Sequence, residues 1–321
     1  MLKLGFAFII YISIVCFGNA ANEAKLPIHF PKAEILNKYT TRIPFKLVDH
    51  LIVVEAELYN KKGMFIIDSG SETMILNKVH FGKTYHFHRN TNKVSGVNEL
   101  IDYSYKKRIK AFDLNGFKLE NKISDVIDLS HIETSKKIKL LGVIGYNILK
   151  DYEVFIDLYL NQITLTKVDK KGNKLNNKVY LEKIVDSLNF SLKKHTIVVN
   201  GTINKHKVKL GIDTAAEFNQ INKSINKKAL KYFIPKKRLK LNGVSNKTIR
   251  VLAGKLHRVK LNDNVYFGPM YTVLTNLNKM NEVFGIQLDG ILGYEFFAQK
   301  RTIINYQKEK LYFIDYPLNT Q

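Results

Sequence analysis

A fifteen-residue pattern is written twice in this chain, as GMFIIDSGSETMILN from Gly63 to Asn77 and as VKLGIDTAAEFNQIN from Val208 to Asn222. Each climbs through an apolar run to an aspartate, passes Ser or Thr and a small residue, and leaves through polar positions to a second apolar pair. The two aspartates lie 145 residues apart (213 − 68) in a chain of 321. Self-similarity at a fixed spacing is the sequence trace of a repeated folding unit, so the chain must build two copies of one architecture.

Aligning Asp68 with Asp213 extends the match outward. Upstream, VEAELYNKKGMFII faces VNGTINKHKVKLGI, and both read as two short strands about a polar turn, at Asn60–Gly63 and Asn204–His206. Downstream, Gly96 and Gly243 lie 28 and 30 residues past their aspartates, and Gly145 and Gly293 lie 77 and 80 residues past them. After those glycines, YNILKDYEVFIDLYLNQITL faces YEFFAQKRTIINYQKEKLYF. Landmarks kept in order at matched spacing mean a duplication.

The segments between them are short, rich in Ile, Val, Phe, Tyr and Thr, and punctuated by Asn, Gly and Lys turns, which predicts an all-β barrel or sandwich in each copy. One short helix is expected per copy, at YNILKDY and YEFFAQK. The chain divides into residues 1–20, a lead-in at 21–44, a first lobe at 45–166, a linker at 167–190 and a second lobe at 191–321. The linker opens on KVDKKGNKLNNK, where apolar periodicity disappears. Residues 28–50 show no clear counterpart in the second copy and are expected to add a strand and a lead-in.

One Asp-Ser/Thr-small motif after an apolar strand is an ordinary turn. Two at equivalent places are different, because a pseudo-twofold arrangement would bring the aspartates together. Each is also followed by two apolar residues and a glycine, Val143-Ile144-Gly145 and Ile291-Leu292-Gly293. In Asp68-Ser69-Gly70, Asp213-Thr214-Ala215 and these two segments the chain resembles the aspartic peptidases, most of all the retropepsin-like bacterial aspartyl proteases. The resemblance covers nearly all of residues 45–315. It implies two pseudo-symmetric retropepsin-like acid-protease β-barrel lobes in one chain, with an active-site cleft between them. It also implies aspartic endopeptidase activity on a polypeptide substrate, with no cofactor and no metal.

On that resemblance, Asp68 and Asp213 are the catalytic pair. Two adjacent carboxylates cannot both ionise, so they share a proton; one takes a proton from water while the other polarises the scissile carbonyl. Ser69 and Thr214 would reach across the symmetry axis, Gly70 would bring a backbone N–H to its carboxylate, and Gly145 and Gly293 would let strands pass closely behind the aspartate loops. Gly96 and Gly243 match the flap hairpins. Ala215 departs from the glycine usual in the family; were positive φ required there, alanine would cost about 1 kcal/mol. Ser71 faces Ala216, so one carboxylate gains a hydroxyl neighbour that the other lacks. Tyr146 and Tyr294 stand where retroviral enzymes carry arginine, so Glu72 and Glu217 must find partners elsewhere.

The rival reading is a degenerate pseudo-protease that binds peptides or a partner without cutting. A metal site at His80, His86 and His88 rests on one His-X-His with no recurring carboxylate, and a serine hydrolase at Ser69 or Ser71 lacks a matching histidine. The net charge of +23 comes from lysines scattered among asparagines, without an RNA-recognition signature, so no specific nucleic-acid partner is expected. MLKLGFAFIIYISIVCFGNA has the lysine, apolar core and small terminal residues of a signal peptide cut after Ala20 or Ala21; an uncleaved anchor is the alternative. Export to the periplasm or outside the cell is therefore expected, with no membrane span after cleavage. Cys16 is the only cysteine, so the mature chain would lack disulfides and a thiol nucleophile. With both half-sites in one chain, a monomer is expected.

Overall fold

The computed structural model describes residues 8–9, 13–14, 30–81, 89–90, 94–96, 100–101, 104–177, 182–242 and 248–315. Each lobe is a curled β-sheet, and the two sheets repeat one topology, so the two-lobed all-β architecture expected from the duplication is the one the chain adopts. In the first lobe, strands Leu51–Leu58 and Lys61–Ile67 form a hairpin on Tyr59 and Asn60, whose φ values are 52° and 60°. In the second, Thr196–Ile203 and His206–Ile212 turn on Asn204 and Lys205 at 48° and 67°. Positive φ at both central residues is the turn whose twist suits a two-residue hairpin, and asparagine tolerates it.

Strand Leu140–Ile144 then inserts parallel to Lys61–Ile67 and antiparallel to Met74–Asn77, which runs parallel to Phe117–Ile127. Gly290–Leu292 does the same between His206–Ile212 and Asn219–Asn222, with Met270–Thr275 beyond. These inner strands are buried on both faces, which is why they read as continuous apolar runs rather than as an alternation. The parallel insertion sets the ends of Lys61–Ile67 and His206–Ile212, and so the aspartates that follow, against the inserted strands.

The lobes are joined by a seven-stranded sheet. Hairpins Tyr152–Asp157/Gln162–Lys167 and Arg301–Asn305/Lys310–Ile314 meet across the pseudo-axis, with Val154 opposite Ile304. Thr40–Pro44 pairs with Gln162–Lys167 on one flank and Ile184–Asn189 pairs with Lys310–Ile314 on the other. Residues 28–50 thus do have a counterpart, contrary to the sequence reading, and the stretch read as a linker ends in a strand of this sheet. The shared spelling was there at the same offset of 145: Phe45, Leu47, His50 and Ile52-Val53-Val54 recur as Phe190, Leu192, His195 and Ile197-Val198-Val199. Each lobe also carries helices that periodicity missed: Ser130–Lys136 and Asn278–Phe284, both seven residues long and mostly polar, and the four-residue Lys78–Phe81 and Ala229–Tyr232. No described helix is long and apolar enough to cross a membrane.

Gly96 ends strand Val94–Gly96, which pairs with Leu100–Ile101 as a hairpin. Gly243 lies outside the described residues, between the paired strands Phe233–Asn242 and Thr248–Leu256. Both hairpins carry an added strand from the N-terminal segment: Phe8–Ile9 runs parallel to Val94–Gly96, and Ser13–Ile14 runs antiparallel to Phe233–Asn242.

Candidate active site

Asp68 and Asp213 each follow the last residue of a buried strand, and each backbone N–H donates to the inserted strand, to the Ile144 and Leu292 carbonyls, both at 3.0 Å. The loops then fold back on their own carboxylates. Gly70 and Ser71 N–H donate to Asp68 Oδ1 at 2.8 and 3.0 Å, and Ala215 N–H donates to Asp213 Oδ1 at 2.9 Å. Both aspartates are buried, and the outer oxygen of each, Oδ2, has no hydrogen-bond partner among the described residues. A buried oxygen left open is costly in a purely structural role and is what a reacting water or substrate would fill.

The two loops are tied to each other by side chains that cross the pseudo-axis. Ser69 N–H donates to Thr214 Oγ1 at 2.9 Å, and Thr214 N–H donates to Ser69 Oγ at 3.0 Å. Thr214 Oγ1 donates onward to the Ile67 carbonyl at 2.8 Å. A hydroxyl both accepts and donates, so Ser and Thr can close this reciprocal net where an aliphatic residue would leave N–H groups orphaned. Behind the loops, a Cβ on Gly145 would lie 2.3 Å from the Thr73 carbonyl oxygen, and one on Gly293 would lie 2.1 Å from that of Ala216. Only glycine fits where these strands pass.

Ala215 needs no special backbone. Neither it nor Gly70 has positive φ, so alanine carries no strain there. Its methyl is buried in an apolar cluster whose other members, among them Leu51, Val53, Ile66 and Val143, all belong to the first lobe except Phe30 of the lead-in. We therefore expect Ala215→Gly to destabilise the chain by about 1 kcal/mol, through lost burial and a freer unfolded backbone. Urea denaturation checks this; unchanged or increased stability would contradict it.

The electrostatics of the pair are unequal. Burial, followed by the charge of Asp213, pushes Asp68 well above the usual carboxylate range. Burial pushes Asp213 up to about 6, while the Ala215 N–H favours its ionised form. The arrangement suits one proton shared between the two carboxyls.

No family model matches this chain, and no curated protein matches it. Among solved structures it is similar to the crystal structure of a retropepsin-like aspartic protease from Rickettsia conorii, at 16% identity, covering 40% of this chain and 93% of that one, with a TM-score of 0.29.

Of the other residues singled out, Ser71 Oγ donates to the Thr73 carbonyl rather than to a carboxylate. His80 Nε2 lies 2.9 Å from Glu133, and His86 and His88 fall outside the described residues. Residues beside the aspartate loops that the sequence reading passed over are His50, His195, Lys136 and Tyr306. The histidines were legible as a pair: each stands 18 residues before its aspartate (68 − 50 and 213 − 195). Lys136 and Tyr306 have no such signal, since their counterparts in the other copy differ in type.

Proposed function

We propose that this chain is an aspartic endopeptidase that cleaves extended polypeptides with a water activated by Asp68 and Asp213. The observation that carries the reading is the joined pair of aspartate loops: two buried carboxylates, each with an open Oδ2, held together by the Ser69–Thr214 exchange across the lobes. Asp213 would take the proton of the attacking water while Asp68 donates to the carbonyl oxygen, and the proton would then pass to the leaving amine.

Strand pairing supports an extended substrate. Within the chain itself, both flap hairpins accept a short strand, in parallel on one and in antiparallel on the other. Opposite senses are what one extended peptide must show when it crosses a twofold axis, and backbone addition of this kind binds with little demand on sequence. Export through residues 1–20 belongs to the same reading, with the N-terminal strands displaced or removed before a substrate enters.

The test is cleavage of an unstructured peptide library by the chain beginning at Asn22, from pH 3 to 8. Activity is expected to rise as Asp213 ionises near 6 and to fall again where Asp68 loses its proton. A hydroxyl-bearing transition-state mimic should block it. A folded protein that is inert across the range while still binding those peptides would replace this reading with a peptide-binding one.

A further inference from the structure

The aspartate loops are gripped from the opposite lobe at a second place, and the two grips differ. Glu217 follows Asp213 by four residues and is buried, its side chain 2% exposed. Its carboxylate meets Lys136 Nζ at 2.7 Å, and Lys136, from helix Ser130–Lys136 of the first lobe, is itself 1% exposed. Asp49, also of the first lobe, holds the same ammonium at 3.0 Å. Beside it, His50 Nδ1 donates to the Glu217 carbonyl at 3.2 Å, and its ring stacks on Tyr294 at 4.2 Å and 7°. Tyr294 in turn donates its N–H to the Ala216 carbonyl at 2.9 Å. The first lobe thus fastens the second aspartate loop at Glu217, through both its carboxyl and its backbone carbonyl.

At the equivalent place on the first loop the contact is with a histidine. His195, the counterpart of His50, is 1% exposed and stands 3.9 Å from Glu72, which is 34% exposed. Burial pushes the ring down to about 4, against the Gly70 backbone, so it is neutral at ordinary pH. The counterpart of Glu217 is therefore met by an uncharged ring at longer range.

We propose that Lys136 is a positioning residue: through Glu217 it seats the loop of Asp213 across the lobe interface. The groups facing the Glu217 carboxyl are Lys136 and Asp49, and the carboxyl facing Asp213 is Asp68. Asp213 owes its raised pKa first to burial. A loop released from its anchor admits water to that carboxyl and misplaces it for proton transfer, with little change in how the flaps hold a peptide. The kinetic part of this inference rests on the endopeptidase reading; the seating of the loop does not.

The experiment uses the amides of Ala215 and Gly70 in the 15N-labelled chain, since each donates to one of the two carboxylates. In Lys136→Met, the titration midpoint seen at Ala215 should fall by about 0.5 pH unit or more, roughly threefold in acidity constant, while that at Gly70 moves less. Turnover should drop about tenfold with KM within about twofold, the signature of a group acting on the transition state, and Lys136→Arg should restore both. Wild-type values of the Ala215 midpoint and of turnover, with only a lowered melting temperature, would overturn the proposal. If Lys136→Met does not fold, Lys136→Met/Glu217→Gln removes the stranded carboxylate; a displaced Ala215 midpoint there supports the proposal and a wild-type one overturns it. Should the wild type prove inert on peptides, the endopeptidase reading fails, and the Ala215 titration still decides the seating.

Discussion

Asp68→Asn and Asp213→Asn are each expected to lower peptide cleavage by about 10³-fold or more, the range for losing a group that moves a proton in the transition state. Combining them should cost little beyond either alone, because the two act as one proton-sharing unit. Folding should survive: an Asn oxygen still accepts from Gly70 and Ser71, or from Ala215, as the carboxylate does. Stability should in fact rise at neutral pH. Both carboxyls have folded-state values raised above the ordinary range, chiefly by burial. A raised carboxyl value means that the folded state holds protons the unfolded chain has released. The contribution of these carboxyls to stability is therefore fully present below about pH 4 and is lost as pH climbs through those values. For Asp213, from about 3.8 to about 6, the loss is up to about 3 kcal/mol. Melting curves from pH 4 to 8 check this: Asp213→Asn should flatten the decline, and a variant less stable than wild type at pH 7.5 would contradict the account. Cleavage that persists in either variant would mean that the two lobes do not share one site.

The second large effect belongs to the sheet that joins the lobes. Arg301 of the second lobe is 1% exposed and meets Asp157 of the first, 0% exposed, at 2.6 Å. It also makes a two-pronged contact with Glu182, and its Nη1 donates to the Asp315 carbonyl at 2.7 Å. Arg301→Met preserves much of the volume but leaves Asp157 buried without its cation, with the N–H groups of Tyr159 and Leu160 the donors that remain to it among the described residues. Stranding one member of a buried ion pair typically costs about 3–5 kcal/mol. The expected outcome is a chain that unfolds at much lower denaturant concentration, with loss of the aspartate pair's geometry before either lobe melts. Arg301→Met/Asp157→Leu should recover most of the stability, because the cost lies in the uncompensated charge. A single variant within about 1 kcal/mol of wild type would show that water reaches this interface.

Sequence and structure divide the protein between them in a way that follows from the range of the forces involved. The doubled Asp-Ser/Thr-small motif, the glycines at 145 and 293 and the turns on asparagine were legible because each meets a local demand: a strand must end, a backbone must pass where any Cβ would lie within 2.3 Å of a carbonyl oxygen, a two-residue turn needs positive φ. Duplication made those demands visible twice, and with them the two lobes and the candidate aspartates. The short polar helices were invisible because seven residues carry too little periodicity to stand above a loop. The repeat's full extent was missed at Phe45 and His50 although it was spelled out there. What only the tertiary structure decided is the inequality of the halves. Lys136 against Glu217, His195 against Glu72 and the Ala215 methyl among first-lobe side chains are contacts between segments far apart in the chain. Their chemistry depends on burial, and burial is a property of the packed pair of lobes, not of any stretch of sequence.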